Sequence, residues 1–302
     1  MDGILNINKP IGLTSFDVVA KVRRLTGTKK VGHTGTLDPD ATGVLPICIG
    51  KATKIIEFLM EKDKIYRVGL LLGKATDTQD ASGKTLYEKP VEASFKEIEE
   101  TIIGFLGSRD QIPPMYSAIR IDGKRLYDLA RQGIEVERKP RPITFYKIDL
   151  LSMEKLDDKV KVVLDVECSK GTYMRTLCHD IGEKLGCGGH MMSLVRTRSG
   201  PFLLEDAHTL EDLEELKSSQ KLESAFMMMD RAILHFPAAY VSDIEAKRLK
   251  NGLGVIYKCL APGFCRIYHE DGRFLAIGKG SEQEDVSILR TYKWIENEIT
   301  SL

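Results

Sequence analysis

The chain has 302 residues, 42% of them apolar and 29% charged, with a formal net charge of zero, which is enough apolar material for a real core and more than one domain. The composition excludes a disordered or fibrous protein, and six cysteines at 48, 168, 178, 187, 259 and 265 without regular spacing argue against a disulfide framework. No apolar run is long enough to span a bilayer and MDGILNINKP lacks the blocks of a signal peptide, so a cytoplasmic protein with no membrane association is expected.

In chain order, Gly3 to Asn8 reads as a strand, and Thr14 to Leu25 as a helix that Thr14 or Ser15 caps and Gly27 stops. A small-residue loop, Gly32 to Gly43, precedes a helix expected over Lys51 to Lys62 and a strand over Tyr66 to Leu72. Ser94 and Glu97 form a capping box for the next helix. Lys124 to Gln132, Thr172 to Leu185 and Thr209 to Gln220 complete the helices of this part, with strands at Ile143 to Leu151, Val160 to Cys168 and Met191 to Thr197. No regular βαβ repeat links them, which favours an α+β fold over a doubly wound sheet.

Past Arg231 the texture changes to a Pro-bearing join, a short helix from Ser242 to Leu249, and the strand-sized pieces VIYKCL, FCRIYHE, RFLAIGKG and DVSILRTY. Their alternation suits a small β-barrel-like second domain over 231–302, after a first domain over 1–230. Charge is segregated despite the zero net. Lys21 to Lys30 holds five basic residues and no acid, and Tyr116 to Lys147 holds eight against four, while Leu203 to Ser224 holds seven acids and two lysines. Such runs are either solvated faces or phosphate contacts.

The loop GHTGTLDPDATG crowds His33, Asp38, three threonines and three glycines into twelve residues. Small residues around a carboxylate and an imidazole suit a catalytic loop that meets its substrate closely, with Asp38 as the lead candidate. The same Asp-Pro pair also fits a plain turn. Two other motifs are weaker. GVLPICIGK from Gly43 has the wrong glycine spacing for a P-loop, and Ala52 follows its lysine. Cys178, His179, Cys187 and His190 offer four zinc ligands, but Cys178 and His179 are adjacent on an expected helix, so no metal is expected.

The run GHTGTLDPDATGVLPICIGKATK resembles the signature of the TruB family of tRNA pseudouridine synthases, as do NINKPIGLTSFD, IYRVGLLLGKATDTQDASG, QIPPMYSAIRIDGKRLYDLARQG, CSKGTYMRTLCHDIGEKLG and LVRTRSGPF, in order. The resemblance implies a mixed, largely antiparallel central sheet with flanking helices, a thumb-like insertion over about 113–142, and a C-terminal PUA domain. It implies isomerisation of uridine 55 in the tRNA T-loop, with no cofactor, guide RNA or obligatory protein partner; a monomer is expected because the sequence shows no self-complementary stripe. By the same resemblance Asp38 is the nucleophile and Arg175 its partner. Tyr66 stacks on the flipped base, with its phenol a candidate base for the C5 proton, and His33 fills the vacated place. Lys9, Pro10 and Leu194 support the pocket, and Arg120, Lys124, Arg125 and Arg131 belong to the RNA clamp. Arg120 stands where many relatives carry lysine, which keeps charge and changes geometry. A guide-dependent subunit and a non-catalytic RNA chaperone are the competing readings.

Overall fold

The computed structural model describes residues 1–117, 119–121, 123–257, 261–283 and 286–296. Among them, ten strands form one sheet: β1 (Gly3–Lys9), β2 (Val31–His33), β3 (Thr42–Ile49), β4 (Lys64–Leu72), β5 (Gly107–Gln111), β6 (Arg141–Leu156), β7 (Lys159–Cys168), β8 (Gly189–Ser199), β9 (Phe202–Leu203) and β10 (Phe226–Met227). The order is β10-β1-β3-β8-β4-β7-β6-β5, with β9 on β8 and β2 on β3. All pairs are antiparallel except β3 with β8. The helices are α1 (Ser15–Thr26), α2 (Ile56–Met60), α3 (Phe95–Ile103), α4 (Leu126–Arg131), α5 (Met174–Lys184), α6 (Leu210–Ser218) and α7 (Asp243–Lys250). The fold is α+β, as expected from the sequence.

Alternation explains β7: Val160, Val162, Leu164, Val166 and Cys168 all point into one core, where Ile98 and Ile102 of α3 and Leu177 and Ile181 of α5 cover them. Each buried aliphatic side chain of this kind contributes roughly 2 kcal/mol. A second core lies under α1 and α6, where Val18, Val19, Val22, Leu210 and Leu213 meet Leu5, Ile7, Leu45 and Ile47. Thr14 and Asp17 close a capping box at the start of α1, and Gly27, left-handed at φ 66°, ends it.

Two elements differ from expectation. No strand is among the expected elements over Thr42–Ile49, a run that contains Pro46, yet β3 is central. On one edge it pairs β1 throughout; on the other it pairs β8 at Thr42 and Gly43 and β2 at Ile47, Cys48 and Ile49. Pro46 falls in the gap between those partners. Its carbonyl takes the Thr34 N–H at 3.2 Å on that edge, where the missing proline N–H breaks no ladder. The single helix expected over Lys51 to Lys62 is instead a 3₁₀ turn, Gly50–Ile55, followed by the short α2. Neither piece has a side-chain N-cap, and its lysines reach outward: Lys51 Nζ donates to the Glu296 carbonyl at 2.6 Å and Lys54 Nζ to that of Trp294.

Those contacts dock the C-terminal sheet, built of β11 (Ala238–Val241), β12 (Val255–Ile256), β13 (Gly263–His269), β14 (Phe274–Gln283) and β15 (Val286–Trp294) in the order β11-β13-β14-β15-β12. This is a five-stranded half-barrel. VIYKCL is strand only at Val255–Ile256 among its described residues, with 258–260 outside them, and β11 arises in the Pro-bearing join, where no strand is expected. Phe58 of α2 packs edge-on against Phe236 and Phe264, with centroids 5.2 and 4.9 Å away, and Ile277 and Ile295 share a core with Ile4 and Val44. The two parts are therefore joined by a continuous apolar contact. Among the described residues no helix is long and apolar enough to cross a membrane. Cys48, Cys168, Cys178, Cys187 and Cys265 are buried free thiols; Cys259 lies outside the described residues.

Candidate active site

Asp38 lies in the loop between β2 and β3. The Asp-Pro turn is formed, since the Ala41 N–H donates to the Asp38 carbonyl at 3.1 Å. The carboxylate serves something else: its Oδ2 stands 3.1 Å from Nη2 of Arg175. The loop is braced from beneath. Ser15 Oγ accepts the Leu37 N–H at 2.9 Å, and the Gly12 N–H reaches the Pro39 carbonyl at 2.9 Å. Lys9 is fully buried, and its ammonium donates to the carbonyls of Pro10, Leu13 and Pro39 at 2.9, 2.7 and 3.1 Å. Lys9 thus ties the β1–α1 turn to the Asp38 loop, with its charge turned inward rather than to a phosphate.

Arg175 is the second residue of α5 and nearly buried. The helix start lacks a side-chain cap of its own at Tyr173. Gln111, the last residue of β5, replaces it: its Oε1 accepts the Tyr173 N–H at 2.8 Å and its Nε2 donates to the Tyr173 carbonyl at 3.0 Å. From that fixed turn Arg175 donates to the Tyr116 carbonyl at 2.8 Å and places Nη1 3.7 Å from Asp80 Oδ2. Asp80 is itself held, its Oδ1 accepting from Thr78 Oγ1 at 2.7 Å and from the Ser82 hydroxyl and N–H at 2.6 and 3.0 Å. One guanidinium therefore sits between two carboxylates. Burial pushes the Asp38 carboxyl above the usual aspartate range; Arg175 opposes that rise, and Asp80 and Asp40 add to it.

Tyr66 on β4 and Leu194 on β8 are half-buried and touch both catalytic-half cores, so they line the seam beside Asp38. Burial raises the pKa of the Tyr66 phenol and Arg196 only partly opposes the rise, so it stays protonated near neutrality. Arg196 is 1% exposed. Its Nε donates to the Val44 carbonyl at 2.6 Å and its Nη2 to the Gly35 carbonyl at 3.1 Å, which fixes the loop's other limb. Gly43 makes this approach possible: at φ +101° a Cβ there would stand 2.3 Å from the Arg196 carbonyl. His33 closes β2. Its Nδ1 accepts the Gly35 N–H at 3.2 Å, leaving the proton on Nε2, and burial followed by Arg196 lowers its pKa, so the ring is neutral.

A family model described as the TruB family pseudouridylate synthase N-terminal domain matches residues 23–174, and one described as the tRNA pseudouridylate synthase B C-terminal domain matches 175–237. The chain belongs to the TruB family of pseudouridylate synthases. Among curated relatives, the "tRNA pseudouridine synthase B" of Clostridium perfringens is 48% identical over 94% of this chain and 96% of its own length. That of Alkaliphilus oremlandii is 52% identical over 83% and 82%. Among solved structures, an H/ACA RNP bound to a substrate RNA containing 2′-deoxyuridine superposes with TM-score 0.74 at 26% identity, covering 98% of this chain and 85% of that one. A Cbf5-Nop10-Gar1 complex gives 0.74 at 27%, covering 97% and 85%. As a TruB-family enzyme the chain is an isomerase that makes pseudouridine.

Of the TruB residues named from sequence, Asp38 and Arg175 meet directly, Tyr66 and Leu194 pack at the junction of the two cores, His33 ends β2 ahead of the Asp38 loop, and the Lys9 ammonium joins the Pro10 carbonyl to that of Pro39. The insertion leaves and returns through paired strands, Gln111 opposite Arg141. Arg131 is exposed at the end of α4, its guanidinium 5.6 Å from the Tyr127 ring. The side chains of Arg120, Lys124 and Arg125 lie outside the described residues. The candidate zinc ligands are dispersed: Cys178 is in the core and His190 Nδ1 faces the Lys74 carbonyl at 2.9 Å. Among the described residues no three His, Cys, Asp or Glu converge on a metal position. Sequence reasoning missed Asp80, Gln111 and Arg196, although each lies in a stretch quoted for the family. An arginine amid the apolar alternation of β8 was the available signal for Arg196.

Proposed function

We propose that this chain converts uridine 55 in the T-loop of tRNA to pseudouridine, with Asp38 as the nucleophile and without cofactor, guide RNA or protein partner. The observation that carries the reading is the Asp38–Arg175 pair at 3.1 Å, with the carboxylate side chain 45% exposed and its partner buried. The isomerisation breaks the C1′–N1 bond, turns the uracil and rejoins it through C5; the C5 proton leaves and N1 ends with a hydrogen, so no redox step is needed. A carboxylate attacking the sugar or the ring supplies the covalent anchor while the base turns. Arg175 orients that carboxylate and opposes the effect of burial, which favours its ionised form.

The target base must leave its stack, at a cost of a few kcal/mol. The neutral His33 ring suits the vacated position, and Tyr66 offers a face for the extruded uracil. Its raised pKa favours stacking over service as a resting phenolate. The insertion over 113–142, with Arg120, Lys124, Arg125 and Arg131, is read as the arm that closes on the T-stem, and the half-barrel within 231–302 as a PUA-type RNA-binding domain. Relatives named for tRNA at 48% and 52% identity support the tRNA substrate. The H/ACA neighbours favour a guide-dependent second reading, at a lower 26–27% identity. Purified protein with an unmodified tRNA transcript, and no added guide or metal, decides between them. Pseudouridine mapped to position 55 is the expected result; a folded, tRNA-binding protein that makes product only with added guide RNA would contradict it.

A further inference from the structure

We propose that Phe16 is a second RNA-contacting ring, forming with His33 a two-ring corner that receives an unpaired nucleobase next to the target uridine. Phe16 opens the first turn of α1 with 65% of its surface exposed, unusual for a large aromatic with no solvent role. Its ring centroid lies 5.3 Å from that of His33 at an interplanar angle of 83°. Two perpendicular rings let a base stack on one and meet the edge of the other, a geometry that accepts any nucleobase.

The surroundings fit a nucleic-acid strand. Ile11, 67% exposed, lies just before α1 on the turn whose Gly12 N–H binds the Pro39 carbonyl of the Asp38 loop. Asp17, the acid nearest in sequence, is engaged in the capping box with Thr14. Further along the exposed face of α1 come Ala20, Arg23 and Arg24, and Arg23 leans onto β2 through the Val31 carbonyl at 3.2 Å. The stripe therefore runs from an aromatic corner at the site to a cationic end within the all-basic Lys21–Lys30 segment, which suits a base followed by its phosphates.

This inference rests on the proposed reaction at Asp38, and binding can be read apart from turnover. Full-length wild type, Phe16→Ala, Phe16→Leu and Phe16→Tyr are compared for affinity to an unmodified tRNA transcript, single-turnover rate and melting temperature. Loss of one stacked base predicts that Ala and Leu weaken binding roughly tenfold, while Tyr stays within about twofold and melting is unchanged. Combined with His33→Ala, the loss should be smaller than the product of the two single losses, because the rings share one corner. Wild-type affinity in Phe16→Ala would overturn the inference. So would a melting temperature that falls in step with affinity, or a change only in self-association. If wild type makes no product but Phe16→Ala still weakens binding, the contact stands and the reaction at Asp38 is what fails.

Discussion

The Asp38 loop and the inserted segment both reach Arg175, but they are held in opposite ways. The loop is fixed from below by two buried cations, Lys9 with three carbonyls and Arg196 with two, plus the Ser15 hydroxyl. Among the described residues, the hydrogen bond from Arg175 to the insertion goes to the Tyr116 carbonyl, near its root. Hydrogen bonds from charged donors contribute about 1.5–3 kcal/mol each, so the loop is over-determined while the insertion can exchange its contact. A reacting carboxylate, the role proposed for Asp38, gains from a fixed position, and an arm of the kind proposed for the insertion gains from freedom.

Arg175→Met cuts both attachments and should have the largest effect. Leaving Asp38 without its buried partner predicts at least about a 10²-fold loss of single-turnover rate. Burial already raises the Asp38 pKa and Arg175 opposes it, so removing the guanidinium raises it further. The ionised nucleophile is then lost at a higher pH as the solution is acidified, and the acid limb of the pH–rate profile should move upward. An unmoved limb would place the titrating group elsewhere.

Lys9→Met sharpens the contrast on the loop side alone. It keeps the apolar stem, removes the ammonium and leaves three carbonyls short of a donor, which predicts a loss of about 2–3 kcal/mol in denaturant unfolding together with slower turnover. Unchanged stability would show that the loop does not depend on its brace. Arg131→Ala, on the insertion side, should have the smallest effect. With stability and saturated rate preserved, the dependence of log affinity on log salt should fall by about 0.7–0.9, the signature of one lost phosphate contact. A lowered saturated rate would mean that the insertion shapes the chemistry as well.

Much of this was legible in the sequence because local rules and tertiary packing agree there. The capped, amphipathic α1 and the alternating β7 are clear cases. β3 was not legible, since its proline is tolerated only because two partner strands leave a gap opposite it. The 3₁₀ turn before α2 was obscured because Lys51 and Lys54 serve the C-terminal sheet, hundreds of residues away in the chain. At the site, family motifs located Asp38, Arg175, Tyr66 and His33 as candidates. The reason Asp38 keeps its place lies in side chains whose partners are backbone carbonyls, and sequence does not display those partners: Lys9, Arg196 and Gln111.

If Asp38 performs the chemistry while the residues around it hold RNA, Asp38→Asn, nearly isosteric, separates the two roles when single-turnover pseudouridine formation and transcript affinity are measured on the same preparation. The expected result is affinity within about twofold of wild type and product formation reduced at least about 10³-fold, the order of a lost nucleophile. Appreciable turnover in Asp38→Asn, with wild-type binding, would contradict the assignment of the nucleophile.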